Sequence, residues 1–253
     1  MAAGLQAGDN TCVMIFIQCA MAMEAAPFVD QLEPGATRHI IGHADTHQQV
    51  FTRGTLRGHD VVVVESGIGL ANAASATARA LTFVEDPATA LVVVAGTCGG
   101  LDEEAQVGDV IVGTSTVYSS ADATEFGYAP GQIPQMPPKY TAGQHAAACA
   151  ARVEGVRAGQ VISADSFVTA RTVHTVRTRF PAALATDMET AGVAQVCFGT
   201  RTPWISMRAV SDLCGPQAGQ DFHMDGDKAA RISAAAVCEL LDLIGGTQVY
   251  QAQ

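Results

Sequence analysis

The sequence predicts an α/β fold, a single three-layer αβα domain built on one mixed, twisted central sheet. Three observations predict it. Short apolar runs stop abruptly at polar or glycine-rich clusters, the pattern of strands buried on both faces. Stretches rich in alanine and leucine lie between them with near-helical spacing. The length, 253 residues, suits one large α/β domain and falls short of two ordinary ones. Residues 1–11 are set apart as a flexible N-terminal segment, and 12–253 as the domain.

The elements follow in chain order. Val13–Cys19 reads as a buried strand leading into Ala20-Met21-Ala22-Met23-Glu24. The whole apolar run Cys12–Met23 is too short to cross a bilayer, and it reads as a strand followed by a turn. Segment Gln48–Val64 holds Arg57-Gly58 between two strand-like runs, which predicts a hairpin. Its second strand, Val61–Val64, ends at Glu65-Ser66-Gly67-Ile68-Gly69. Leu70–Val84 reads as a helix, and Leu91–Ala95 as a strand ending at Gly96-Thr97-Cys98-Gly99-Gly100. Ala142–Arg152 and Thr190–Cys197 are helix candidates, and Gly226–Ile244 is a long amphipathic one. Val161-Ile162 leads into Ser163-Ala164-Asp165, and Trp204–Val210 into Ser211-Asp212. Residues Tyr118–Tyr140 make one long irregular stretch, of a length that in compact domains is usually functional or disordered.

Ligands of open α/β sheets sit beyond the carboxyl ends of strands. That rule gathers Glu24, Thr97, Asp165, Ser211 and Asp212 as candidates for one site.

Composition narrows the function. Apolar residues make up 48% of the chain and charged ones 15%, enough for a sizeable core. A net charge of −11 argues against a nucleic-acid backbone or an anionic membrane as partner. The seven cysteines are odd in number and show no CxxC spacing, so they read as reduced thiols of a cytoplasmic protein. The first ten residues carry no Lys or Arg and no secretory pattern.

Five segments then occur in order: Ala20-Met21-x-x-Glu24, Ser66-Gly67-Ile68-Gly69, Gly96-Thr97-Cys98-Gly99-Gly100, Asp187-Met188-Glu189 and Arg208-Ala209-Val210-Ser211-Asp212. Each alone is weak, but together the chain resembles the 5′-methylthioadenosine/S-adenosylhomocysteine nucleosidases of the purine nucleoside phosphorylase-like superfamily. The stretch Ala121–Tyr128 followed by Gly131-Gln132-Ile133-Pro134 resembles the bacterial type.

The resemblance implies a nucleoside phosphorylase-like fold and hydrolysis of the N-glycosidic bond of 5′-methylthioadenosine and/or S-adenosylhomocysteine. 5′-Deoxyadenosine and 6-amino-6-deoxyfutalosine share the adenosine core and stay open as substrates. Breaking such a bond builds positive charge on the sugar and negative charge on the base. An acid must protonate the purine and a base must activate water, each worth about 10²–10⁴-fold. By resemblance Asp212 is the acid, which requires it to hold a proton near neutral pH, and Glu24 is the base. Glu189 is implied to hold the ribose hydroxyls, with Met188 packed on the ribose and Met21 in the substrate pocket. Arg208 and Thr97 are implied to orient Glu24 and the water, and Ser211 to orient Asp212. Adenine would lie against Phe167 and be read by the backbone of Val168, while Gly99 lets the chain approach it closely.

No cofactor and no metal is implied. The implied partners are the nucleoside and a second copy of the chain, a homodimer in which Phe126 and Pro134 reach the neighbouring site. The aromatic and proline residues of Tyr118–Tyr140 suit a packed contact better than a solvated loop.

Departures from the family pattern are Thr97 for Ser, Asp187 for Glu, Thr190 for a small residue, and Ser119-Ser120 for a His-Asp pair. None removes a proposed catalytic group. Plainer readings exist residue by residue. Glu24 alone is what a helix N-terminus favours, and Asp212 alone is a plausible N-cap. Asp165 reads as structural, positioning the adenine loop, and Cys214 as an ordinary thiol. His39, His43 and His47 recur every four residues, but Gly42 and the strand-like surroundings point to hairpin histidines rather than a metal site. Two rival functions remain, a phosphate-using phosphorylase and a non-catalytic binding protein on the same fold. The related phosphorylases carry a phosphate-holding Arg where this chain has Val94, and a Gly-Asp-Pro-Arg segment where it has Ala20–Glu24.

Overall fold

The computed structural model describes residues 14–216 and 218–245, with the backbone alone for 220–224. The N-terminal segment 1–11 and Cys12 lie outside the described residues. Ten strands and six α-helices occur among those described.

The sheet grows from its most apolar segments. β1 (Ile15–Cys19) is buried along its whole length. It pairs in parallel with β4 (His59–Glu65) on one side and β5 (Leu91–Gly100) on the other. Apolar runs, Ile-Phe-Ile in β1 and runs of Val in β4 and β5, are what a sheet covered on both faces requires. β3 (Gln49–Leu56) and β4 form the expected hairpin, turning at Arg57 and Gly58 with φ of 51° and 76°, as a two-residue primed turn demands. β2 (Thr37–Ile41) adds an edge strand to β3.

In the other half of the sheet the runs Val161-Ile162 and Trp204–Val210 are strands as expected, whereas the strands between and beside them were not expected. β6 (Val110–Tyr118), β8 (Val156–Ser163), β9 (Ala183–Asp187) and β10 (Trp204–Asp212) follow, with the short β7 (Tyr140–Thr141) beside β6. β5 pairs with β10 over most of its length, and at its end Gly99 and Gly100 pair with Thr186 and Ala185 of β9. The circuit β5-β10-β6-β8-β9 therefore closes on itself, and β1, β4, β3 and β2 extend from it.

Helices cover both faces. α1 (Ala22–Val29) follows β1 where the sequence reading placed only a turn. α2 (Leu70–Ala80) ends before the expected Val84, its last residues tightening into a 3-10 turn at Leu81–Phe83. α3 (Gln144–Ala150) is shorter than expected, and α4 (Val173–Arg179) was not expected. α5 (Thr190–Thr200) packs on α2, and the 27-residue α6 (Ala218–Ile244) lies along β10 and β5. Between β6 and β7 the chain makes one 3-10 turn at Thr124–Phe126. The six described cysteines are buried and unpaired. Among the described residues no helix is long and apolar enough to cross a membrane. His39 sits in β2, and His47 Nε2 lies 3.0 Å from Ser66 O.

Candidate active site

Closure of the sheet builds the site. Along β5, Gly99 is paired with both Asp212 of β10 and Thr186 of β9, so three strand ends meet there. A cavity of about 330 Å³ opens at this meeting, within the usual range for a small-molecule site. Its wall contains Glu24, Thr97, Gly99, Arg208, Ser211 and Asp212. Met188, Glu189, Phe167, Val168 and Met21 line it as well. Two expected residues lie elsewhere: Phe126 is 84% exposed, and neither it nor the exposed Pro134 lines this cavity. Asp165, gathered into the site by its place at a strand end, is not in the wall either. It bonds to the start of α2, and Leu70 N donates to its Oδ1 at 2.7 Å.

Glu24 is 1% exposed on the first turn of α1. Its Oε2 accepts from Ala20 N at 2.9 Å and Met21 N at 3.2 Å. Its Oε1 accepts from Thr97 N at 2.8 Å and Thr97 Oγ1 at 2.9 Å. Four donors and the positive end of α1 hold the carboxylate in one place. Gly96 makes room for it: with φ +127°, a Cβ there would stand 2.4 Å from Glu24 Oε1.

Arg208, fully buried in β10, is bonded to Thr97 and Glu189 and ion-paired with Asp187. Nη1 donates to Thr97 O at 2.8 Å and Nη2 to Glu189 Oε2 at 3.0 Å. Nε lies 3.0 Å from Asp187 Oδ2, close enough for an ion pair but out of hydrogen-bond alignment. Burial works against its charge, yet Asp187, Glu189 and Glu24 together raise its pKa above the ordinary value. Glu189 Oε1 accepts from Gly69 N at 2.9 Å. Burial pushes the Glu189 carboxyl up, Arg208 pulls it down, and Asp187 pushes it up again.

Asp212 ends β10 just beyond a register shift, and is 1% exposed. Cys214 N donates to its Oδ1 at 3.0 Å, and Ser211 Oγ lies 3.1 Å from its Oδ2 and 3.2 Å from Cys98 O. Ser211 Oγ thus stands between the Asp212 carboxyl and the Cys98 carbonyl.

The sequence reading missed a buried hub at Asp187. Ser163 Oγ donates to its Oδ1 at 2.5 Å, Glu189 N at 3.2 Å and Thr190 N at 3.1 Å. Thr190 Oγ1 bonds to its Oδ2. Asp187 therefore caps the start of α5 while it faces Arg208. The only signal in the sequence was that Asp187 and Thr190 both depart from the family pattern. The shorter carboxylate reaches a hydroxyl that stands in place of the usual small residue. Cys214 N and Gly69 N were invisible in advance because backbone donors carry no sequence signature.

Electrostatically the cavity is acidic. Glu24, Asp187, Glu189 and Asp212 line it, and Arg208 is the one cation among the described residues of its wall. That arginine is already engaged by three acceptors, counting its ion pair. An incoming anion would meet carboxylates, whereas a sugar gaining positive charge would be stabilised.

Comparison with known proteins agrees with this chemistry. Residues 14–243 match the phosphorylase superfamily. A 5′-methylthioadenosine/S-adenosylhomocysteine nucleosidase of Staphylococcus saprophyticus is 36% identical over 91% of this chain and 100% of its own length. The structure of such a nucleosidase from Colwellia psychrerythraea 34H, in complex with adenine, superposes with a TM-score of 0.84. It is 31% identical and covers 94% of this chain and 98% of its own. The Neisseria meningitidis nucleosidase, in complex with methylthio-immucillin-A, gives a TM-score of 0.80 at 35% identity over 90% of this chain and 98% of its own.

Proposed function

Because the chain belongs to the phosphorylase superfamily and, within it, to the 5′-methylthioadenosine/S-adenosylhomocysteine nucleosidases, we propose that it hydrolyses the N-glycosidic bond of 5′-methylthioadenosine and/or S-adenosylhomocysteine. The products are adenine and the free 5-thio-substituted sugar. 5′-Deoxyadenosine and 6-amino-6-deoxyfutalosine present the same adenosine core to the site.

One observation carries the reading. Glu24 is anchored on Thr97, and Asp212 is paired with Gly99, two residues further along β5. Those anchor points are about 7 Å apart along the strand, and the cavity lies between walls that each supplies. A nucleoside set there has one carboxyl group for its base and another for the water that attacks C1′.

In this mechanism Asp212 gives a proton to the purine, which leaves as neutral adenine. Ser211 and Cys214 N hold the Asp212 carboxyl in the orientation for that transfer. Glu24 takes a proton from water as the water attacks C1′. Three of the four donors on Glu24 are backbone amides, and only the Thr97 hydroxyl can rotate aside to let water in. Glu189 binds the ribose hydroxyls and, with the other carboxylates, favours the cationic sugar in the transition state. Met188 and Met21 pack on the sugar side, and Phe167 with the Val168 backbone receives adenine.

The exposed Phe126 and Pro134 fit a homodimer in which they close the neighbour's site over the apolar 5′-alkylthio group. The buried, unpaired thiols support a cytoplasmic location.

The test is release of adenine from each of the four nucleosides, with and without excess phosphate, with the sugar product identified. Free sugar at a rate unaffected by phosphate is expected, and a phosphorylated sugar would overturn the hydrolytic reading.

A further inference from the structure

α2 begins without a side-chain cap of its own, since the residue before it is Gly69. Its first amides are instead satisfied by two carboxylates far away in the chain. Gly69 N donates to Glu189 Oε1 at 2.9 Å, and Leu70 N to Asp165 Oδ1 at 2.7 Å. The positive end of the helix favours both acids. The fit at Asp165 is close: Gly69 has φ +105°, and a Cβ on it would stand 2.9 Å from Asp165 Oδ1.

What these two bonds join is functional. Asp165 belongs to the loop that leaves β8, and the next three residues, Ser166, Phe167 and Val168, form cavity wall. That loop is held at its root, where Ala164 N donates to Asp187 O at 3.2 Å. On the other side Ile68 is also cavity wall, and it directly precedes the glycine bonded to Glu189. The start of α2 thus holds the sugar-side acid through Gly69 N and the base-side loop through Leu70 N.

We propose that Asp165 is a positioning residue, a latch that holds the base-binding loop Ser166–Val168 against the start of α2 and so sets the distance between the base and ribose halves of the site. It does not touch the reacting atoms. Asp165 is exposed, so its bond to Leu70 N is the point at which the two halves can separate. Loss of the latch weakens binding of the base more than it slows the chemical step, because Glu24, Asp212 and Arg208 are held by other partners. The proposal rests on the nucleosidase reading of this cavity.

Three variants test it. Asp165→Ala removes the acceptor. Asp165→Asn keeps an acceptor oxygen without the charge. Leu70→Pro removes the donor N–H and leaves Asp165 untouched, at a first helical position where proline is well tolerated. Adenine release from 5′-methylthioadenosine gives kcat and KM, and product inhibition gives the dissociation constant of adenine. Asp165→Ala and Leu70→Pro are expected to raise KM and the adenine constant at least about fivefold, with kcat within about threefold. Asp165→Asn is expected to stay within about threefold of the parent in all three. Amide exchange of residues 164–168 should accelerate in the first two variants. Should Asp165→Ala fail to fold, Leu70→Pro decides. Unchanged KM, adenine constant and exchange in Leu70→Pro would overturn the latch, as would an Asp165→Asn variant no better than Asp165→Ala. Failure of the parent protein to release or bind adenine would refute the nucleosidase reading instead, and the exchange measurement would still judge the latch.

Discussion

Gly96→Ala is the substitution whose effect can be worked most directly from the structure. The new Cβ would stand 2.4 Å from Glu24 Oε1, 2.5 Å from its carboxyl carbon and 2.8 Å from Oε2. Reaching the 3.4 Å of an ordinary contact requires the carboxylate to retreat by about 1 Å. It has nowhere to go without cost, because Thr97 holds Oε1 through two bonds of 2.8 and 2.9 Å. A misplacement of about 1 Å at a reacting group can cost about 100-fold in rate. The backbone adds strain of about 1–3 kcal/mol, since φ of +127° is adverse for any side chain. Strain of about 2 kcal/mol by itself lowers the melting temperature by roughly 4–8 °C in a protein of this size, and the clash with Glu24 adds to that. The assay is kcat for adenine release, with the melting temperature measured on the same samples. A double-mutant cycle separates the two effects. In a Glu24→Ala background Gly96→Ala should cost only backbone strain, so its thermal penalty should shrink. Near-normal turnover in folded Gly96→Ala, or an equal penalty in both backgrounds, would refute the reasoning.

Two further outcomes are expected. Glu24→Gln and Asp212→Asn should each lower kcat by at least about 100-fold with the fold retained, measured by adenine release and circular dichroism. Near-normal turnover in either folded variant removes that residue from the mechanism. The chain should sediment at twice its mass at assay concentration. Mixing a Phe126→Ala chain with an Asp212→Asn chain should regenerate some sites of parental affinity for 5′-methylthioadenosine. An active monomer, or no recovery despite subunit exchange, would count against a shared site.

Much of the site was legible before any coordinates. Glu24, Asp212, Glu189 and Arg208 lie in short segments whose order and residue types resemble one family, and all four line the cavity. The buried strands were legible because Val, Ile and Leu in unbroken runs have no other comfortable place. β6 and β9 were harder. β6 reads Val-Ile-Val-Gly-Thr-Ser-Thr-Val-Tyr and β9 reads Ala-Leu-Ala-Thr-Asp, with polar or small residues diluting the apolar signal. α1 was hidden for a different reason. It is eight residues long and contains Pro27, so neither period nor propensity announces it. For Asp165 the strand-end rule and the plainer structural reading differed, and its bond to Leu70 N follows the structural one.

By itself, then, the sequence determined the α/β class and, through its resemblance to one family, the reaction and the carboxylates expected at the strand ends. These are properties of residue type and short-range order, which a chain carries wherever it folds. Only the tertiary structure decided that the sheet closes from β5 through β10, β6, β8 and β9, which brings Gly99, Asp212 and Thr186 to one point. It also decided that Arg208 reaches Glu24 through Thr97, that Asp187 anchors the arginine, and that Asp165 caps a helix 95 residues away. Each of these rests on a pairing between distant segments, often through a backbone amide. Every residue but proline offers that amide, so only the folded path of the chain selects which ones meet.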